Sequence, residues 1–238
     1  MKQDNMNRYG YTISPDETDR SGLVTLPSMY RILIDSISQN IRKEGYGVDV
    51  LEKRGLTWAL ARCAVESVAR PALYDEIQVE VWSGGSSGFC HNRCVRAVDR
   101  EDREICRGVT QWCVLDRSSR RPQPPFQQEG ATAEMPCAAP LRLRPFKSLV
   151  RRTVEAGYSE CDFNGHLNNA KYLEMFCNMI PRVMMETLSR FRLDVNFRKE
   201  IPCGSLAESY IADNVSSGYD YCMYYEGAAA CCASISII

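Results

Sequence analysis

The sequence predicts an α+β fold made twice over: a curled antiparallel sheet wrapped around a long central helix, repeated along one chain. Three observations predict it. A strand, a long amphipathic helix and four strand-like segments follow one another up to Leu115, and the same order returns from Leu149 to Ile237. Between the two runs lies a Pro-rich stretch with no sustained period. Sliding the chain by 143 residues sets Asp19 on Asp162 and Gly22 on Gly165, directly ahead of a helical pattern in both halves.

Taken in order, Arg8 to Ile13 alternate loosely as a short strand that stops at Ser14-Pro15. A helix follows, with Thr25 as its cap, Pro27 in its first turn and Leu26, Met29, Tyr30, Leu33, Ile34, Ile37 and Ile41 at helical spacing. Gly45 or Gly47 ends it. Strands are expected over Thr57 to Ala69, Glu76 to Trp82, Phe89 to Val98 and Glu104 to Leu115, divided by Pro71, Gly84-Gly85 and Asp99 to Asp102. Pro122, Pro124, Pro125, Pro136, Pro140 and Pro145 break any period across the linker. The second copy reads as a strand from Leu149 to Ala156, a helix to about Ile180 stopped by Pro181, and strands at Phe191 to Phe197, Leu206 to Asp213, Tyr219 to Tyr225 and Ala229 to Ile237. The domains are therefore 1–116, a linker 117–148, and 149–238.

Composition bounds the function. Net charge is −1 over 238 residues, so no global field draws the chain to nucleic acid or to an anionic membrane. Twelve cysteines would suggest disulfides in a short secreted chain, but Met1 to Asn5 opens without an apolar segment, and a reducing cytoplasm is the expected setting. The weakly polar run from Gly227 to Ile238 is too short to span a bilayer.

Chemistry concentrates in Glu160-Cys-Asp-Phe-Asn-Gly-His-Leu-Asn-Asn-Ala-Lys-Tyr172. Asp162, Asn164 and His166 alternate with Phe163 and Gly165, so carboxylate, amide and imidazole reach one face of an extended segment. Gly165 permits a tight turn. Asn168 or Asn169 caps the helix that follows, whose first turn offers free N–H groups. Such a cluster suits attack on a carbonyl, because the oxyanion that develops needs donors already aimed at it. An Asx-capped turn with a structural His is the plainer reading of the same residues.

Asp-Phe-Asn-Gly-His-Leu-Asn-Asn-Ala-Lys-Tyr-Leu resembles the Asp-x-Asn-x-His-x-Asn-Asn-x-x-Tyr signature of the acyl-acyl carrier protein thioesterases, members of the hotdog superfamily. In that family a catalytic Glu follows an aromatic-basic-basic run; here Phe197-Arg198-Lys199 precedes Glu200, 34 residues after His166. Leu56-Thr57-Trp58, Arg62, Arg70-Pro71, Asp75 and Val81-Trp82 are similar to the family's N-terminal half. The resemblance implies a tandem hotdog that hydrolyses fatty acyl-acyl carrier protein to free fatty acid and carrier thiol, ending fatty acid synthesis. It implies one site built from Asp162, Asn164, His166 and Glu200, with Glu200 or Asp162 as base for a water. The shift by 143 puts Ser21 on Asn164 and Leu23 on His166, so the first half lacks the imidazole and is expected to supply the acyl pocket. Trp58, Leu33 and Ile37 are its expected lining, with Asn168 and Asn169 at the substrate. The acidic carrier protein would dock on Arg142, Arg144, Lys147, Arg151 and Arg152, with Arg117, Arg120 and Arg121 across the linker.

Other readings stay open. A hotdog acyl-CoA thioesterase would share the motif, and a non-catalytic acyl-thioester sensor would bind without releasing thiol. Some family members carry a Cys directly after the catalytic Glu; here that position is Ile201, and Cys203 is expected to be structural. Cys90-His91-Asn92-Arg93-Cys94 lacks a Cys-x-x-Cys pair or a second His, which predicts core cysteines, a surface His and no metal. No glycine-rich phosphate loop implies a nucleotide cofactor. Chain length is not legible, and further pairing into a homodimer is open.

Overall fold

In the computed structural model, which describes residues 7–124 and 134–238, ten strands form one antiparallel sheet in the order β1-β3-β4-β5-β2-β7-β10-β9-β8-β6. The first five are β1 (Asn7–Thr12), β2 (Leu56–Ser67), β3 (Glu76–Ser87), β4 (Cys90–Val98) and β5 (Glu104–Asp116). The second five are β6 (Arg151–Glu155), β7 (Phe191–Phe197), β8 (Leu206–Asp213), β9 (Tyr219–Tyr225) and β10 (Ala228–Ile237). The second set repeats the first in reversed spatial order. The two halves meet where β2 pairs with β7, from Arg62 opposite Asn196 to Ser67 opposite Phe191. This is the tandem hotdog arrangement.

The long helix of the first half, α1 (Leu26–Lys43), follows from its apolar stripe and its cap: the Thr25 hydroxyl accepts the Ser28 N–H, and Pro27 sits in the first turn. A five-residue α2 (Val48–Glu52) follows it, too short for its periodicity to be read. The second half's helix is half as long. Here α3 (Asn169–Cys177) is capped by the Asn168 carboxamide, and a separate α4 (Arg182–Thr187) starts after Pro181. The core lies between the helices and one face of the sheet, with Leu33 and Ile37 of α1 fully buried against strand residues such as Val79, Val95 and Val195.

Two expectations on the strands are corrected. Gly84-Gly85 does not end β3; the strand runs on to Ser87 with a register shift between Ser83 and Ser86. A Cβ on Gly84 would meet the Cys94 Sγ at 2.8 Å, so the residue marks close strand packing and not a turn. His91 is buried, not surface: period 2 holds, but its face of β4 points inward, where the ring meets Trp58 edge-on at 5.2 Å.

The middle of the Pro-rich stretch, 125–133, lies outside the described residues, as does the opening segment. From Glu134 to Ser148 the chain forms a strap across the sheet face opposite the helices. Trp82 Nε1 donates to the Glu134 carbonyl over β3, and Ser148 Oγ donates to the Ile211 carbonyl over β8. Between them, the Leu141 and Leu143 N–H groups donate to Asp194 and Asn196 of β7 at 2.8 and 3.0 Å. These two polar side chains are buried because the strap covers them.

Candidate active site

Between β6 and α3 the chain forms one 3₁₀ turn (Tyr158–Glu160) and then a tight loop. The loop is closed by Asp162 N–H to the His166 carbonyl at 2.9 Å and Gly165 N–H to the Asp162 carbonyl at 3.0 Å. Gly165 has φ +77°, a conformation that a Cβ disfavours. The Asp162 carboxylate accepts the Asn164 N–H at 2.9 Å and faces the Asn164 amide at 3.5 Å. The segment after β7 is laced to this loop: Leu167 N–H donates to the Ile201 carbonyl, and Cys203 N–H to the Gly165 carbonyl.

That lacing brings His166 and Glu200 together. His166 Nδ1 stands 3.5 Å from Glu200 Oε2, with the imidazole about one third exposed and the carboxylate about half. The other oxygen, Oε1, is held by the guanidinium of Arg120. Arg120 belongs to the turn after β5, at the start of the linker, so the site receives a side chain from outside the second half.

The pair opens onto a cavity of about 660 Å³. Its walls come from the loop (Asp162, Phe163, Asn164 and His166), the start of α3 (Asn168, Asn169 and Tyr172), the end of β7 through Glu200, and the first half. From the first half come Ile34, Val48, Trp58, Leu60, Trp112 and Leu115 among others. Of the pocket residues expected on α1, Leu33 and Ile37 do not line it; they face the core, and Ile34 with Ser38, one position on, take the wall. Trp58 does line it, anchored by Nε1 donating to the Tyr46 carbonyl at 2.8 Å. None of Arg142, Arg144, Lys147, Arg151 and Arg152 is on the wall; the cations there are Arg31, Arg120, Arg198 and Lys199. Burial holds the Tyr172 phenol well above its ordinary value, so it stays a neutral donor.

A model of the acyl-ACP thioesterase N-terminal domain matches residues 4–127, and one of the C-terminal domain matches residues 146–230. The chain belongs to the acyl-ACP thioesterase family. Within it, the dodecanoyl-[acyl-carrier-protein] hydrolase of Cinnamomum camphora is 25% identical over 215 residues, covering 84% of this chain and 56% of the relative. Oleoyl-acyl carrier protein thioesterase 2 of Arabidopsis thaliana is 20% identical over 208 residues, covering 78% and 57%. This family member spans between 45% and 61% of the length of such relatives. An acyl-ACP thioesterase from Bacteroides thetaiotaomicron superposes with TM-score 0.88 at 19% identity, covering 99% of each chain. The 12:0-ACP thioesterase from Umbellularia californica gives 0.83 at 16%, covering 97% and 96%. At these identities the superpositions speak for the fold.

The repeat of the thioesterase-family chain puts different side chains into the same frame in the first half. Its counterpart loop is built bond for bond: Asp19 N–H to Leu23 O, Gly22 N–H to Asp19 O, Val24 N–H to Pro71 O and Leu73 N–H to Gly22 O. In that frame Leu23 stands where His166 does and Arg70 where Glu200 does. The Arg70 guanidinium binds Asp19, the counterpart of Asp162, and also donates to the carbonyls of Val24 and Met185. Met185 of α4 and Leu188 then fill the space, leaving about 10 Å³ where the other half leaves about 660 Å³.

Cys203 is exposed and its thiol lies against Cys161, while Ile201 is buried. Among the described residues, no group of three or more His, Cys, Asp or Glu side chains is placed to hold a metal ion, and no helix is long and apolar enough to cross a membrane. Arg120, expected with Arg117 and Arg121 among the cations for the carrier protein, is instead placed on Glu200, a contact that pattern reasoning missed. It sits in Asp116-Arg-Ser-Ser-Arg-Arg, a polar turn at the start of the linker, with no signal that ties it to Glu200.

Proposed function

We propose that this chain hydrolyses fatty acyl-acyl carrier protein to free fatty acid and carrier thiol, with Glu200 as the base. The observation that supports it most is the His166–Glu200 pair at 3.5 Å, on the wall of a cavity also lined by the apolar side chains of Ile34, Trp58, Leu60 and Leu115. An acyl chain would lie along those side chains with its thioester at the pair. Glu200 takes a proton from water, whose oxygen attacks the carbonyl carbon; the C–S bond breaks and the thiolate leaves as thiol once protonated. His166 orients the water or donates to the carbonyl oxygen, and Asn164, Asn168 and Asn169 supply further polar groups on the same wall. Asp162 is the other candidate; its carboxylate accepts the Asn164 N–H and faces the Asn164 amide.

The test is thiol release from a panel of acyl chains carried on carrier protein and on CoA. Glu200→Ala and His166→Ala are expected to lose about two to four orders of magnitude in kcat. Cys203→Ser keeps most activity, since a water mechanism uses no thiol. A folded Glu200→Ala protein with the wild-type rate ends the proposal. Faster turnover on CoA than on carrier protein for the same chain would move the substrate class.

The carrier protein would meet the exposed cations of β6, Arg151 and Arg152, whereas Arg142, Arg144 and Lys147 ride on the strap, on the face away from the cavity. Lys147 lies over the Tyr210 and Tyr224 rings, and Arg151 is 3.5 Å from Glu208. Charge reversal at Arg151 and Arg152 is expected to raise KM for acyl-carrier protein and to spare small thioesters. The setting is the end of fatty acid synthesis in a reducing cytoplasm, which the twelve free thiols support.

A further inference from the structure

We propose that Arg120, carried by the turn that follows β5, is a positioning residue for the hydrolytic pair in the second half. The inference rests on the thioesterase reading and adds a residue to it. Glu200 has two carboxylate oxygens with separate neighbours: Arg120 Nη2 donates to Oε1, and Oε2 faces His166 Nδ1 at 3.5 Å. Glu200 lies just beyond a strand end and is half exposed, and such a side chain has several rotamers open to it. The guanidinium selects the one that turns Oε2 toward the imidazole.

The turn that presents Arg120 is built for this. Arg120 has φ +57°, the left-handed region that non-glycine residues seldom adopt. Asp116 enforces it: its carboxylate accepts the Ser119 N–H and Oγ–H at 2.8 Å each and the Ser118 Oγ–H at 2.8 Å. Its carbonyl accepts the Arg120 N–H at 2.9 Å, and its own N–H donates to Arg121 O at 3.0 Å. Those hydrogen bonds pull the Asp116 carboxyl down to about 2, so the turn keeps its charge across the working pH range.

Stability does not account for the contact. An ion pair between two half-exposed side chains contributes little to folding. The counterpart in the first half shows the difference: Arg70 is built into the frame itself and closes its own loop, whereas Glu200 receives its cation from the turn after β5, outside its own half.

The experiment uses the full chain with Arg120→Ala, Arg120→Lys, Glu200→Ala and the double variant Arg120→Ala/Glu200→Ala. Thiol release from acyl-carrier protein and the melting temperature are both measured. Arg120→Ala is expected to lower kcat by about 10- to 100-fold through misplacement of Glu200, with KM within about twofold and the melting point unchanged. Added guanidinium restores part of the rate in Arg120→Ala and none in Glu200→Ala; Arg120→Lys lies between. The double variant is no slower than Glu200→Ala, because Arg120 acts through that carboxylate. Arg120→Ala with a wild-type kcat, or with a defect in KM alone, overturns the proposal while Glu200→Ala still shows the hydrolase intact. Absence of thiol release from the wild type with every acyl chain takes down both readings together.

Discussion

Two positions that coincide in the repeat carry opposite chemistry. Glu200 opens onto a cavity, whereas Arg70 closes one, and the difference is one of charge and of what the side chain can reach. Arg70 is nearly buried and gives hydrogen bonds to Asp19 and to three backbone carbonyls, those of Leu23, Val24 and Met185. Arg70→Ala leaves Asp19 and those carbonyls without their donor, and is expected to cost about 3–5 kcal/mol, read by urea denaturation. Activity of the folded fraction should be unchanged, since Arg70 does not line the cavity that holds His166 and Glu200. His91 makes a pH prediction. Burial first, and the Arg93 charge second, push its imidazole down from 6.5 to about 4. The unfolded chain therefore binds a proton between those values that the folded chain does not, so stability is complete above about 6.5 and declines as pH falls toward 4. The loss attributable to His91 is about 3 kcal/mol. Denaturation midpoints followed from pH 7 to 4 should fall less steeply in His91→Gln; an unchanged slope removes the assignment.

At the scale of elements, the strap shows what a Pro-rich stretch can hide. Its backbone groups find partners in side chains of β7: Asn196 accepts from Leu143 N–H at 3.0 Å and donates to Leu141 O at 2.8 Å. Asn196→Ala removes both at a buried position and is expected to cost about 2–3 kcal/mol, with little effect on kcat because the strap lies on the face away from the cavity. Chemical denaturation with parallel kinetics checks it. The strands were legible because period 2 and the turn residues agree, as in Leu206 to Asp213. The strap was not, since its order comes from Asp194 and Asn196, polar residues in a strand whose other face is core. The same limit applies within the site. Asp162, Asn164, His166 and Glu200, which local spacing and a motif single out, share one cavity wall. Arg120 reaches Glu200 across 80 residues, and Ile34 displaces Leu33 on the cavity wall through the rotation of α1, which periodicity does not resolve to one residue.

At the scale of the molecule, the two halves share one sheet, and β2 and β7 pair without a register shift across the seam from Arg62 opposite Asn196 to Ser67 opposite Phe191. Val65 and Cys63 on β2 and Leu193 and Val195 on β7 are buried in a common core, and α1 packs on α3 beneath them. Cutting the chain in the linker would expose both seam strands along their hydrogen-bonding edges, together with their apolar faces. The strap ties the halves further, crossing from β3 of one to β8 of the other. Residues 1–116 and 149–238 made separately are therefore expected to aggregate or stay unfolded, although each holds a complete hotdog order. The intact chain should melt in a single transition whose calorimetric and van't Hoff enthalpies agree. Two resolved peaks, or a soluble 149–238 fragment with cooperative unfolding, would show that the repeat still folds as independent units and that the seam is only an interface. The single transition follows from geometry: His166 and Glu200 belong to the second half, Arg120 to the turn at the start of the linker and much of the cavity wall to the first half, so neither 1–116 nor 149–238 holds the whole cavity.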